Sequence, residues 1–293
     1  MKLAEMRQML TDQGIQLTKS LGQNFLHEEK VVAKIAAAGE LTKADKVLEI
    51  GPGLGPLTEL LLAQAGEVLA IEMDLRLVKL LRKRWSADLR IGESLDGAMQ
   101  SNTPNRSSAL QLIHADALKL LEREPRDWRG WKLISNMPYS VASPILVELA
   151  LIEHGPERMV VTLQLEVAKR LRAKADEEDY GLLTLLVGLN YEPRTMFKIS
   201  AGCFFPQPNV DSACLTLVRR AKPPLTVPQT TVFVGIVKKA FSQRRKMMAK
   251  LLRADWPEEK LAAAMVELGL SPQIRAEAVT LQQFVRLTQL LCA

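Results

Sequence analysis

Long apolar runs, paired cysteines and clustered histidines are all missing from this 293-residue chain, and each absence removes a class of protein. No stretch approaches the ~18 uninterrupted apolar residues of a membrane-spanning helix. The amino end, Met1-Lys2-Leu3-Ala4-Glu5-Met6-Arg7, carries both charge signs with no apolar stretch behind it, unlike a secretory signal. A soluble, cytoplasmic protein is expected. Cys203, Cys214 and Cys292 are an odd number without metal-ligand spacing, and His27, His114 and His154 cluster with none of them. Buried or incidental thiols and no metal centre are therefore expected. Internal repeats and low-complexity tracts are lacking too. What is present is core material: 47% hydrophobic residues suffice for one large domain and a small one. A net charge of +6 with pI near 9.2 favours an anionic partner such as nucleic acid, although many basic proteins bind none.

Hydrophobic patterning predicts a short buried strand over Lys46–Ile50, a glycine turn over Gly51-Pro52-Gly53-Leu54-Gly55, and an apolar-periodic helix from Leu57 to Ala65. A second strand, Glu67–Ile71, ends at Glu72 and leads into a basic amphipathic segment from Leu75 to Arg84. Further strands are predicted over Leu110–Ile113 ahead of Asp116, Lys132–Ser135 ahead of Asn136, and Met159–Leu163 ahead of a helix over 166–174. This alternation is that of an α/β protein with a parallel sheet, and each polar signature sits just past a strand's carboxyl end, where ligands bind in open sheets. Residues 85–108 are polar and glycine-containing, and are expected to be an inserted surface loop. Past Gly181 come a helix over 182–189 and strands over 194–199 and 212–218. Pro223-Pro224 and Pro228 mark a boundary, beyond which the segments 232–253, 258–268 and 281–291 are all helical. The predicted division is a domain of residues 1–221 and a small all-α domain of residues 222–293.

Asn136-Met137-Pro138-Tyr139 combines an amide acceptor, a ring-stiffened turn and an aromatic plate. That set suits holding a flat, amine-bearing base while the amine is alkylated. The amine's lone pair is delocalised into the ring, so catalysis needs acceptors aimed at its hydrogens. The Asn136 side-chain oxygen and the Met137 carbonyl are the candidates, with Pro138 fixing the turn and Tyr139 stacking on the base. An ordinary turn with a buried tyrosine has the same spelling. Gly51, Gly53 and Gly55 allow close backbone approach to a ligand, but the spacing is one residue short of a dinucleotide fingerprint. It suits a ligand without pyrophosphate, such as S-adenosylmethionine. Glu72 is either a ligand for ribose hydroxyls or a solvated strand-end charge. Asp116 is either an acceptor for an adenine amino group or the N-cap of the helix from Leu118.

Six motifs occur in one order over about residues 17 to 285. They are Leu21-Gly22-Gln23-Asn24-Phe25-Leu26, Glu49-Ile50-Gly51-Pro52-Gly53-Leu54-Gly55, Asn136-Met137-Pro138-Tyr139 with Ser143-Pro144-Ile145-Leu146, Phe204-Phe205-Pro206-Gln207-Pro208-Asn209-Val210-Asp211-Ser212, Phe241-Ser242-Gln243-Arg244-Arg245-Lys246 and Arg275-Ala276-Glu277. Together they resemble the KsgA-type ribosomal RNA adenine dimethyltransferases. The resemblance implies a Rossmann-like methyltransferase sheet with helices on both faces, plus a helical RNA-binding domain. It implies S-adenosylmethionine as methyl donor, and N6,N6-dimethylation of two adjacent adenosines in small-subunit RNA during ribosome biogenesis. Cofactor contacts are then Asn24, Leu26, Gly51, Gly53, Glu72, Asp116 and Asn136; Asn136, Pro138, Tyr139 and Phe204 serve the target adenine, with a core-filling role the alternative for Phe204. Lys238, Lys239, Arg244, Arg245, Lys246, Lys250 and Arg253 make a phosphate footprint or a solvated basic face. Immature small ribosomal subunits are the expected partner, and a monomer is expected. Two other readings share the fold: a large-subunit adenine methyltransferase of the antibiotic-resistance type, disfavoured by Ser143-Pro144 and Arg275-Ala276-Glu277, and a noncatalytic assembly or transcription factor. Met137 in place of the commoner leucine, the 85–108 insertion, and Leu165 where bacterial members often carry lysine are departures from the family pattern.

Overall fold

The computed structural model describes residues 1–17, 23–85, 89–92, 110–124, 126–243 and 245–293, the side chains of 89–92 excepted. The amino-terminal part comprises α1 (Leu3–Asp12), β1 (Phe25–Leu26), α2 (Glu29–Ala38), β2 (Lys46–Ile50), α3 (Pro56–Gln64), β3 (Glu67–Glu72) and α4 (Leu75–Arg84). Next come β4 (Leu89–Gly92), β5 (Leu110–His114), α5 (Ala117–Arg123), β6 (Trp131–Asn136), α6 (Tyr139–Leu151), β7 (Arg158–Gln164) and α7 (Leu165–Arg172). The remainder comprises α8 (Leu182–Gly188), β8 (Tyr191–Ile199), β9 (Phe204–Phe205), β10 (Ser212–Arg219), α9 (Val227–Ala240), α10 (Met248–Leu252), α11 (Glu258–Glu267) and α12 (Leu281–Cys292).

Eight strands form one sheet in the order β4-β5-β3-β2-β6-β7-β10-β8. The strands from β4 through β7 are parallel, and β10 runs antiparallel to β7 with Ser212 opposite Gln164. The central strands read as near-continuous apolar runs, Val47-Leu48-Glu49-Ile50 and Val68-Leu69-Ala70-Ile71, because helices cover both faces of such a sheet. From β2 the chain moves outward through α3 and α4, then crosses back to β6 on the other flank of β2. Right-handed crossovers in opposite directions place their helices on opposite faces. β1 and β9 make a separate antiparallel ribbon, with Phe25 opposite Phe205 and Leu26 opposite Phe204.

Two expectations need correction. Within the segment taken as a surface loop, Leu89–Gly92 form the edge strand β4, in parallel register with β5. Leu89-Arg90-Ile91 has the period-two alternation of a strand, too short to stand out in sequence. The helix expected over 232–253 is two helices, because α9 stops at Ala240. The Lys239 carbonyl, which a further helical turn would use, accepts instead from the Ser242 amide at 3.2 Å and the Ser242 hydroxyl at 2.7 Å. Lys238 and Lys239 thus end α9, Arg245 and Lys246 lie in the following turn, and Lys250 lies in α10 with Arg253 at its C-cap.

The chain gathers into two compact units, one of Met1–Leu149, His154–Ala168 and Arg194–Val218, the other of Ala150–Glu153, Lys169–Pro193 and Arg219–Ala293. The second takes in 169–193 besides the helices beyond residue 221. Its centre holds Phe241 between the rings of Tyr180 and Phe284, with ring centroids 6.2 Å apart in both pairs. The Tyr180 hydroxyl donates to the Val279 carbonyl at 2.7 Å, and the Asp176 amide to the Glu277 carbonyl at 2.9 Å. Arg275-Ala276-Glu277 is therefore part of this unit's packing. Among the described residues no helix is long and apolar enough to cross a membrane.

Candidate active site

β2 and β6 are neighbours although three strands separate them in sequence, so a crevice opens at their carboxyl ends. A cavity of about 260 Å³ lies there. Its walls come from Gly51 and Gly53 after β2, Glu72 and Met73 at β3, Asp116 after β5, and Asn136 to Tyr139 after β6. Gln23, Asn24 and Phe25 close it from the amino-terminal segment.

Gly51 and Gly53 have φ of +68° and +61°, in the left-handed region that costs a residue with a Cβ. Space demands glycine as well: a Cβ on Gly53 would stand 2.8 Å from the Phe25 ring, and one on Gly51 3.1 Å from Pro138. The Gly53 amide donates to Glu72 Oε2 at 3.1 Å, and the Asp74 amide to Glu72 Oε1 at 2.9 Å. A carboxylate has about four acceptor positions, so capacity remains for a ligand diol. Burial raises the Glu72 pKa, opposed by the backbone amides of Asp74, Gly53 and Met73. Asp74 caps α4 through the Arg76 amide and accepts from Gln23 Nε2 at 2.8 Å, which ties the amino-terminal segment to the β3 end. The Arg76 guanidinium, 2.6 Å away, holds the Asp74 carboxyl down at about 2.

Asn136 ends β6 with its amide already oriented. Nδ2 donates to the Asn24 carbonyl at 3.3 Å, while Oδ1 is buried with no hydrogen-bond partner among the described residues. A buried acceptor left unmade is costly, and this one borders the cavity, so it is satisfied when a donor enters. Ser135 donates to the Ile50 carbonyl at 2.5 Å, locking β6 to β2 directly beneath the glycine turn. Tyr139 opens α6, and its hydroxyl shares a 2.6 Å hydrogen bond with the fully buried Ser212 hydroxyl at the start of β10. Burial raises the Tyr139 pKa, so the phenol stays neutral. Asp116 caps α5 through the Leu118 and Lys119 amides at 3.1 and 3.3 Å, and it also lines the cavity.

The remaining expected positions lie elsewhere. Leu26 is buried beside the main cavity and lines a side cavity of about 30 Å³ with Glu49, Gly51, Gly53 and Asn136. Phe204 is 2% exposed, pairs with Leu26 in the ribbon and packs in the core; it is not among the cavity's wall residues. Lys238 and Lys239 sit in the last turn of α9, and Arg245 and Lys246 are exposed in the turn before α10; Arg244 lies outside the described residues. Gln23, Asp74, Ser135 and Ser212 carry site geometry but were given no role in the sequence reading, although Gln23 and Ser212 fall within two of its motifs. Only Asp74, directly ahead of the Leu75 helix, has a readable signal, as an N-cap. Glu49 is fully buried at the end of β2, and burial, reinforced by the Glu72 charge and opposed by the Thr58 hydroxyl, pushes its carboxyl up to about 8. Among the described residues no three His, Cys, Asp or Glu side chains are placed to hold a metal ion.

Known proteins resemble this chain in sequence and fold. The family described as ribosomal RNA adenine dimethylase matches residues 14–292. Ribosomal RNA small subunit methyltransferase A of Pelotomaculum thermopropionicum is 37% identical over 96% of this chain and 93% of that relative. Among solved structures, a dimethyladenosine transferase from Plasmodium falciparum is similar in fold, with a TM-score of 0.71 at 23% identity over 90% of this chain and 95% of that one. The 23S rRNA methyltransferase ErmE gives 0.66 at 27% identity over 92% and 100%. With a cavity at the sheet's switch point and near-complete matches along its length, this chain is an enzyme of the ribosomal RNA adenine dimethylase family.

Proposed function

We propose that the enzyme uses S-adenosylmethionine to dimethylate N6 of two adjacent adenosines in a hairpin loop of small-subunit ribosomal RNA during ribosome assembly. The observation that carries this reading is the buried, unpartnered Oδ1 of Asn136 bordering the same cavity as Glu72. When bound, S-adenosylmethionine supplies a methyl group on a sulfonium that is already a good leaving group. The residues fit such a ligand: Glu72 would accept from its ribose hydroxyls and Asp116 from its adenine amine, and the Gly51–Gly53 turn would let the backbone come close to it. Asn24 contributes its segment's edge to the same cavity, and Leu26 shapes it from the side through the ribbon.

An adenine splayed from a loop stacks on Tyr139. The Asn136 Oδ1 and the Met137 carbonyl would accept its two amine hydrogens and so orient the nitrogen lone pair for attack on a methyl donor. Positioning and oriented acceptors are what the chain adds to an already activated donor. Phe204 acts at a distance, packing the ribbon that holds Asn24 in place. Tyr139 is set by Ser212, so Ser212→Ala lowers kcat by roughly ten-fold, the worth of one buried hydrogen bond, with little change in KM for S-adenosylmethionine. Steady-state kinetics at saturating RNA check this; an unchanged kcat removes Ser212 from the positioning of Tyr139.

Lys238, Arg245 and Lys246 are exposed and supply positive charge for RNA phosphates, while Lys239 pairs with Asp255 at 3.2 Å. Replacing both Arg245 and Lys246 by Glu weakens RNA binding and flattens the slope of log affinity against log salt by roughly 1–2. An unchanged slope returns these residues to a solvated face. The reaction itself is tested by digesting small-subunit RNA after incubation with enzyme and S-adenosylmethionine. N6,N6-dimethyladenosine is the expected nucleoside; a methylated cytosine or guanine in its place contradicts the proposal.

A further inference from the structure

The helical unit carries a second, open groove of about 480 Å³, between α9 and the turn after α10. Gly235, Lys238, Lys239, Asp255 and Trp256 are among its lining residues. Gly235 lies in the interior of α9, where glycine is the least favourable residue apart from proline. Nothing in the packing requires it, since a Cβ built there meets no atom within 4 Å. Its effect is to leave bare helix backbone in the groove, a shape that lets a flat group approach closely. Trp256 is half-buried there and supplies an indole, the kind of side chain on which any nucleobase stacks. The groove's acid, Asp255, is neutralised by Lys239 at 3.2 Å, and Lys238 is exposed beside it to meet a phosphate.

We infer that this groove is a subsite for one unpaired nucleotide of the RNA, its base against Trp256 over Gly235 and its phosphate at Lys238. The inference rests on the reading of the enzyme as an RNA methyltransferase, and the subsite is distinct from the Asn136 cavity. A paired base cannot enter, because both of its faces are already stacked in the duplex. The groove therefore selects RNA with an unpaired residue, and adds an aromatic contact to what would otherwise be charge attraction alone.

Gly235→Leu tests this in the full-length protein. Leucine favours helix and has open space at this position, so thermal stability holds or rises while the side chain fills the groove. Affinity for a short unstructured RNA should fall on the order of ten-fold, with affinity for a duplex of equal charge and for S-adenosylmethionine unchanged. Trp256→Ala should do the same and Trp256→Phe should restore most of the loss. Unchanged single-strand affinity in Gly235→Leu and Trp256→Ala overturns the subsite, as does an equal loss for duplex RNA. If wild-type enzyme binds the unstructured RNA through this groove yet transfers no methyl group to ribosomal RNA, the subsite stands and the functional reading falls.

Discussion

Asn136→Ala lowers the single-turnover rate of methyl transfer by roughly 10²–10³-fold, the size of effect seen when one preorganised polar partner of a transition state is removed. Asn136 Oδ1 is buried and unpaired, and Nδ2 is anchored to the Asn24 carbonyl at 3.3 Å, so the amide cannot turn its acceptor away from the cavity without losing that anchor. Such an acceptor costs free energy in the unliganded protein and returns it only when the amine hydrogen arrives. The variant also loses the Nδ2 bond to the Asn24 carbonyl, so weaker binding of S-adenosylmethionine is expected beside the slower transfer, and the rate is therefore read at saturating donor. Asn136→Asp separates acceptor from anchor: an oxygen remains toward the cavity, but a second oxygen then faces the Asn24 carbonyl. It should be slow as well, with weakened S-adenosylmethionine binding as the amino-terminal segment loosens. A near-wild-type rate for Asn136→Ala, measured at saturating S-adenosylmethionine, takes this residue out of the mechanism.

Glu49→Gln removes most of a pH dependence of folding that the wild-type chain should show between about 5 and 8. The Glu49 carboxyl is fully buried, and its pKa rises from 4.5 to about 8. Below 4.5 both folded and unfolded chains hold the proton, and the Glu49 contribution to stability is fully present. As the pH rises the unfolded chain ionises first, and stability falls by about 1.4 kcal/mol per pH unit until the folded group also ionises. The total is about 4–5 kcal/mol, lost as the pH passes through the folded value. Glutamine is isosteric and does not titrate, so the variant gains on wild type steadily from pH 5 to 8.5. Denaturant midpoints of both proteins across that range check the point; parallel pH profiles show that Glu49 ionises normally. Glu49 also lines the side cavity with Gly51, Gly53 and Asn136, so its ionisation would place a second negative charge beside Glu72.

Sequence patterning reached the central sheet because its strands are near-continuous apolar runs and each ends on a polar or glycine signal. Lys46–Ile50 is observed with the bounds predicted, and Glu72, Asp116 and Asn136 stand where the alternation put them, at the carboxyl edge. Contacts made across long sequence separations were not legible. Ser212 meets Tyr139, and Gln23 meets Asp74, only because strand order brings their segments together; nothing local marks either residue. Phe204 and Leu26 illustrate the reverse case. Their assignment came from the resemblance alone, and a two-residue ribbon is too short to carry a period, so their pairing with each other was not legible. The break after Ala240 was hidden for a different reason: a serine hydroxyl takes the Lys239 carbonyl, and serine within an apolar-periodic stretch is no stop signal by itself.

The central claim is that this cavity methylates adenines of small-subunit ribosomal RNA, and the most direct measurement is where the methyl group goes. Enzyme and methyl-labelled S-adenosylmethionine are offered, in separate reactions, immature small subunits, large-subunit RNA and DNA, and the modified bases are mapped. The account predicts label on two neighbouring adenosines of small-subunit RNA alone, lost in Asn136→Ala. Label confined to large-subunit RNA, or retained undiminished in that variant, contradicts it.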